Sequence, residues 1–98
     1  MNGAERITAE RERHVSQEGW TPQHDAQHDS GALLDAAVCY IANAHEYFEV
    51  DEGLWPWDKA WDKRDKHSDI RSLEIAGALI AAEIDRRLAT RQETDQDG

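Results

Sequence analysis

The sequence predicts an all-α domain, and three observations carry that prediction. Apolar positions recur three or four apart near the C-terminus, at Ile70, Leu73, Gly77, Ile80, Ile84 and Leu88, which sets them on one side of a helix. An alanine-rich run occupies 31–48 with no proline to interrupt it. No stretch alternates apolar and polar residues in the manner of a half-buried strand.

The C-terminal helix is expected over 68–90. Ser68 suits its N-cap, Asp69 in the first turn favours the positive end of the helix dipole, and Arg86, Arg87 and Arg91 suit the negative end. The stripe from Ile70 to Leu88 is expected to face the core. The second helix is expected over 31–48, capped by Asp29 or Ser30, with Leu34, Ala37, Val38, Ile41, Ala44 and Phe48 as its buried stripe. Many of these residues are small, so another helix can approach closely. A third helix is expected over 4–17. Its Glu10-Arg11-Glu12-Arg13 run is helix-forming but charged, leaving only Ile7, Ala9 and Val15 to bury, and Gly19 serves as its C-terminal cap. Two long connections separate these helices. In the first, Thr21 followed by Pro22 signals a short helical turn at 22–28. The second, over 49–66, carries Leu54-Trp55-Pro56-Trp57-Asp58-Lys59-Ala60-Trp61.

Ninety-eight residues suffice for one domain, 1–98, with a modest core. Residues 1–3 and 92–98 offer no contiguous apolar surface to hold them and are expected to be unpacked. The formal net charge is −10, from 21 acidic and 11 basic side chains, which argues against general nucleic-acid binding because that needs a basic face. It leaves room for a local basic pocket, or for an acidic surface that fits another protein's basic groove. The single cysteine, Cys39, lies within Ala36-Ala37-Val38-Cys39-Tyr40-Ile41 and reads as a small buried hydrophobe. With no signal-peptide pattern, and no run near the roughly 18–20 apolar residues of a membrane span, a cytoplasmic location is expected.

Two constellations carry the unusual chemistry. His24-Asp25-x-x-His28-Asp29 would put His24 and His28 on one face of a helical turn, where two imidazoles can share a metal. A third ligand would have to come from His45, Glu46 or His67. The glutamate base of zinc proteases is missing, and the same residues serve equally as caps and polar contacts, so no metal or other cofactor is assigned. The second constellation is Trp55, Trp57 and Trp61 beside Lys59, Lys63, Arg64 and Lys66. Such rings can fill a core that small-residue helices leave open. An aromatic platform edged by cations also suits a ring stacked on tryptophan with its phosphate held by lysine or arginine. Catalysis finds little support. There is no serine elbow and no phosphate-cradling glycine loop, and Asp35, Glu46, Glu74, Glu83 and Asp85 are scattered around their helices rather than converging to hold magnesium.

Four stretches resemble a group of small phage and prophage proteins. They are Arg11-x-Arg13-His14-Val15-Ser16-x-Glu18-Gly19-Trp20-Thr21-Pro22-x-His24-Asp25-x-x-His28, Gly31-x-Leu33-x-x-Ala36-Ala37-x-x-Tyr40, Trp55-Pro56-Trp57-Asp58, and Ala76-Gly77-Ala78-Leu79-Ile80-x-Ala82-Glu83-Ile84-Asp85-Arg86. The likeness covers nearly the whole chain and implies a phage-encoded accessory protein working in the host cytoplasm. The chain also resembles the repeat domain of ryanodine receptors. There a helix ends in Gly-Trp, as at Gly19-Trp20, an Arg-Asp pair has its counterpart in His24-Asp25, and a Pro-containing segment matches Trp55-Pro56-Trp57-Asp58 and leads into 62–71. It lacks that family's Tyr-Gly-Pro and inserts a long alanine-rich helix. This second resemblance implies a pocket for a nucleotide-like ligand between the two long loops. In that reading Trp20, Trp55, Trp57 or Trp61 stacks on the ring. His24 and Arg71, with Lys63, Arg64 or Lys66, neutralise the phosphate, and Asp25 and His28 complete the first wall. The expected role is a non-enzymatic protein that sequesters a host immune signal. The alternative is an acidic inhibitor of a host nucleic-acid-binding defence complex. The length of the C-terminal stripe further suggests a homodimer formed by helix packing.

Overall fold

The computed structural model describes residues 1–18, 30–45 and 49–91, and everything stated below concerns these residues. They form three α-helices, α1 (Gly3–Glu18), α2 (Ser30–Ala44) and α3 (Asp69–Thr90), and the connection from α2 to α3 holds three short 3-10 turns. There is no strand among the described residues. None of the helices is long and apolar enough to cross a membrane. The all-α class follows, with each helix near its expected position.

Local chemistry sets most of the helix ends. Ser68 caps α3 as expected, its hydroxyl accepting a hydrogen bond from the Arg71 amide at 3.1 Å. The start of α1 differs from expectation. Although residues 1–3 are exposed, Asn2 and Glu5 form a reciprocal capping box: Glu5 Oε1 accepts from the Asn2 amide at 2.8 Å and Asn2 Oδ1 accepts from the Glu5 amide at 2.9 Å. Helix α2 ends at Ala44, short of the expected 48, and a tighter bond from the His45 amide to the Ala42 carbonyl at 3.1 Å closes it. Phe48, the cap at Gly19, the turn at 22–28 and the tail at 92–98 lie outside the described residues.

The core lies between α2 and α3. It consists of Leu33, Ala36, Ala37 and Tyr40 from α2 against Ile75, Ala76, Leu79 and Ala82 from α3, with Trp55 and Trp57 packed against this cluster. Alanines at the contact let the two helices come close, and the tryptophans fill the volume that such small side chains leave. Cys39 is fully buried, and burial pushes its thiol pKa upward, in keeping with a small inert hydrophobe.

The expected core stripe of α3 requires correction. Ile70 is 57% exposed and Ile84 is 52% exposed, and Leu73, Ile80 and Leu88 are also exposed. The buried face is the opposite one, formed by Ser72, Ile75, Ala76, Leu79, Ala82 and Glu83. On α2 the expected stripe holds in part: Ala37 is buried and Leu34 and Ala44 are half-buried, but Val38 and Ile41 are exposed, and Leu33, Ala36, Cys39 and Tyr40 are buried. Both faces of each helix repeat at helical spacing, so periodicity could not choose between them. Packing chose the small residues.

Helix α1 crosses α3 at Gly77. A β-carbon built there would sit 2.6 Å from Ile7 Cδ1 and 2.7 Å from its Cγ1, so only glycine lets Ile7 settle on the α3 backbone. From this crossing, ion pairs reach both ways along α3. Arg6 meets Glu74 at 2.8 Å and Glu10 meets Arg71 at 2.6 Å on one side, and Arg11 meets Asp85 at 3.3 Å on the other.

Candidate functional site

The connection from α2 to α3 is built on aspartates. Asp51 accepts from the Gly53 amide at 2.8 Å, Asp58 from the Ala60 amide at 2.9 Å, and Asp62 from the Arg64 amide at 3.2 Å. Each carboxylate satisfies an amide two residues on. Asp51 and Asp58 thereby cap two of the three 3-10 turns, Glu52–Leu54 and Lys59–Trp61, while the third, Arg64–Lys66, follows Lys63 and has its first amide held by Asp62. Asn43 fastens the connection to both helices. Its Nδ2 donates to the Arg64 carbonyl at 2.9 Å and to the hydroxyl of fully buried Ser72 at 2.8 Å. The C-terminal end of α2 is thereby held beside the N-terminal end of α3.

Four rings and one cation gather on this base. Trp55 meets Tyr40 edge-on, with centroids 5.9 Å apart, and meets Trp57 at 5.4 Å with planes 88° apart. His67 joins the group with its ring 6.2 Å from that of Tyr40. The Trp55 indole Nε1 donates to the Asp58 carbonyl at 3.2 Å, fixing the ring in the loop. The Arg64 guanidinium sits 5.2 Å from the centre of the Trp55 ring. Asp62 holds that guanidinium through two bonds, from Nε at 2.8 Å and from Nη2 at 2.6 Å. Arg64 in turn draws the Asp62 carboxyl below its ordinary pKa, and the pair as a whole carries no net charge.

Arg71, the next expected phosphate contact, faces α1 instead. Its Nη1 lies 2.6 Å from Glu10 Oε1 and 3.0 Å from Glu74 Oε1. Glu10 is only 4% exposed and also receives Arg13 at 3.0 Å and His14 Nε2 at 2.7 Å. Burial pushes the Glu10 carboxyl upward, but the hydrogen bonds from Arg13 and Arg71 outweigh it and leave the pKa lowered. His14 is shifted down by burial, which outweighs the pull of Glu10. At neutral pH it is therefore a neutral imidazole donating through Nε2 to a carboxylate.

Trp55, Trp57 and Arg64 are brought together, and Lys63 and Lys66 are exposed on the turn that carries Arg64. Arg71 is turned to the α1 carboxylate and is not part of the aromatic group's cationic edge. Trp61 closes the second turn with its backbone, while its ring lies outside the described set, as do Trp20, His24, Asp25 and His28. Among the described residues no three His, Cys, Asp or Glu side chains gather to hold a metal ion. Of the acids weighed for magnesium, the three on α3 meet arginine. Glu74 pairs with Arg6 and Arg71, Glu83 with Arg86 at 2.9 Å and Arg87 at 2.6 Å, and Asp85 with Arg11.

Several residues that matter here went unremarked in the sequence. Tyr40 was assigned no part in the aromatic group, and Asn43 lacks an apolar neighbour pattern to mark it as a clamp. Asp51, Asp58 and Asp62 did leave a signal, since an aspartate two residues ahead of an amide-rich turn is a recurrent loop device. Searches against family models, curated proteins and solved structures find no match for the chain.

Proposed function

We infer that this protein is a non-catalytic binding protein whose contact surface is the α2–α3 connection, and that it takes a small nucleotide-like ligand against Trp57. The observation that carries this reading is the edge-to-face pair of Trp55 and Trp57 on the core, with Arg64 over the first ring. Trp55 is the fixed support, tied by Tyr40, Asp58 and Arg64. Trp57 is the half-buried ring beside it, and exposed Lys63 and Lys66 supply positive charge nearby. A ring stacked on Trp57 with phosphate toward the lysines uses the same chemistry as base-stacking proteins. The wall expected from Trp20, His24, Asp25 and His28 belongs to this proposal. So do the phage-encoded origin and the capture of a host immune signal.

Calorimetric titration against linear and cyclic nucleotides tests the reading. Heat with at least one compound, abolished by Trp57→Ala and reduced by joint Lys63→Ala and Lys66→Ala, is expected. Silence across the panel removes the ligand reading.

A second reading is favoured by the charge. With a net charge of −10, and with Arg64 and Arg71 already held by carboxylates, the chain has the surface of an acidic inhibitor that occupies a basic channel on a host defence protein. Such an inhibitor tolerates Trp57→Ala and His24→Ala but loses potency when exposed acids such as Glu12, Asp51 and Asp65 are reversed to lysine.

A further inference from the structure

Helix α1 is held differently from the other two. Among the described residues it packs on α3 and on no other element to a comparable extent. The buried side chains it contributes are Glu10 and His14, both polar, while Ile7 and Val15 are half-buried. The cluster that joins α2 to α3 is apolar. Helix α1 is therefore seated by one aliphatic side chain in the gap at Gly77 and by ion pairs around it, Arg6 to Glu74, Glu10 to Arg71 and Arg11 to Asp85.

The centre of this seat is crowded with positive charge. Glu10 already receives two guanidiniums, Arg71 of α3 at 2.6 Å and Arg13 of its own helix at 3.0 Å, besides His14 Nε2 at 2.7 Å. The charged groups that face His14 from α1 are Glu10, Arg13 and Arg11, and from α3 they are Arg71 and, bonded to it, Glu74. A proton on His14 would set a third cation on one buried carboxylate, out of reach of water. Uptake is easier once α1 has left α3, because the imidazolium is then solvated. Burial, which outweighs the pull of Glu10, accordingly holds the docked imidazole below its ordinary value.

We propose that α1 is a proton-operated clasp, which swings off α3 as one unit while α2 and α3 stay packed together, and that His14 is its trigger. Segments with few buried apolar contacts are the ones that open below the energy of global unfolding, and α1 is such a segment. In the open form Arg71 loses Glu10 and keeps Glu74. Arg71 also acts on the Tyr40 phenol, whose pKa burial and Asp62 raise and Arg64 and Arg71 pull back. Release of α1 thus alters the charge at the edge of the aromatic group.

Native-state hydrogen exchange of the full chain, read amide by amide at low and rising urea, tests the proposal. Amides of α1 beyond its first turn are expected to exchange through an opening that responds weakly to urea. Those of 33–40 and 75–82 should wait for global unfolding. After correction for intrinsic exchange, the α1 opening constant should rise roughly tenfold per pH unit below 6.5, the ordinary histidine value, until docked His14 itself titrates. His14→Gln should flatten that rise. A staple separates undocking from fraying of the helix. A β-carbon at position 77 would meet Ile7 Cγ1 at 2.7 Å and Cγ2 at 3.2 Å, the two atoms that flank the Ile7 β-carbon, so Ile7→Cys with Gly77→Cys has the approach a disulfide needs. Oxidation of this variant should bring α1 protection up to that of α2 and α3, and reduction should restore the faster exchange. Wild-type α1 amides that exchange only together with 33–40 and 75–82 overturn the proposal. So does an opening that acid leaves unchanged or shifts equally in His14→Gln, or one that the closed staple does not slow.

Discussion

Along α3 the inner face offers Ser72, Ile75, Ala76, Leu79, Ala82 and Glu83, and the outer face offers Ile70, Leu73, Ile80, Ile84 and Leu88. The outer set is bulkier and wholly apolar, yet it is the one in solvent. Two facts explain the choice. Alanines on the inner face match alanines of α2, so the helices approach closely and the tryptophans fill the ends of the contact. The two polar residues of the inner face are also satisfied, Ser72 by Asn43 and Glu83 by Arg86 and Arg87, so their burial leaves no unpaired group. A helix face is thus chosen by what it fits and whether its polar atoms find partners, in addition to how apolar it is.

The largest test of this contrast is Leu79→Ala. Leu79 is 1% exposed within the α2–α3 core, and its truncation should cost about 3 kcal/mol in urea unfolding. Next is Glu10→Gln, which leaves Arg13 and Arg71 without their buried carboxylate and should cost about 2 kcal/mol.

Acid should act on the same network in two steps. Burial holds His14 below the ordinary histidine value of 6.5, so the unfolded chain takes up that proton first and stability begins to fall as pH drops through 6.5. Glu74, Glu83 and Asp62 are held low chiefly by hydrogen bonds from Arg6, Arg86 and Arg64 respectively. Glu10 is low despite its burial because Arg13 and Arg71 bond to it. The stability these four carboxylates contribute is full above the ordinary carboxylate range and is lost as pH falls through their lowered values. Thermal midpoints against pH should show both steps, and His14→Gln should remove only the upper one.

Gly77→Ala has a smaller effect because two terms oppose. Alanine favours the helix, but its β-carbon forces Ile7 aside, and a net loss of about 1 kcal/mol is expected. Pairing it with Ile7→Ala should recover the helix-propensity gain and give a clearly non-additive double-mutant cycle. Smallest of all is Ile84→Ala on the outer face. It should change stability by no more than about 0.5 kcal/mol. A cost comparable to that of Leu79→Ala would place Ile84 inside a packed core and break the comparison between faces.

Much of the scaffold was legible in the sequence. The all-α class, the three helices and the Ser68 cap follow from helical periodicity and from hydrogen bonds that span only a few residues. So does the burial of Cys39 within an alanine-rich run. The site was legible in part. Clustered tryptophans beside cations pointed to residues 55–66, where Trp55, Trp57 and Arg64 do assemble. What the tertiary structure alone decided was which face of α2 and α3 turns inward and which carboxylate each arginine meets. Arg71 bonds Glu10 from 61 positions away in the chain, and Asn43 joins Ser72 across 29. Local patterns report a helix and the spacing along its faces, because those depend on neighbouring residues. The choice of face, and of partner, depends on how closely two distant segments can approach and on whether every polar atom they bury is matched.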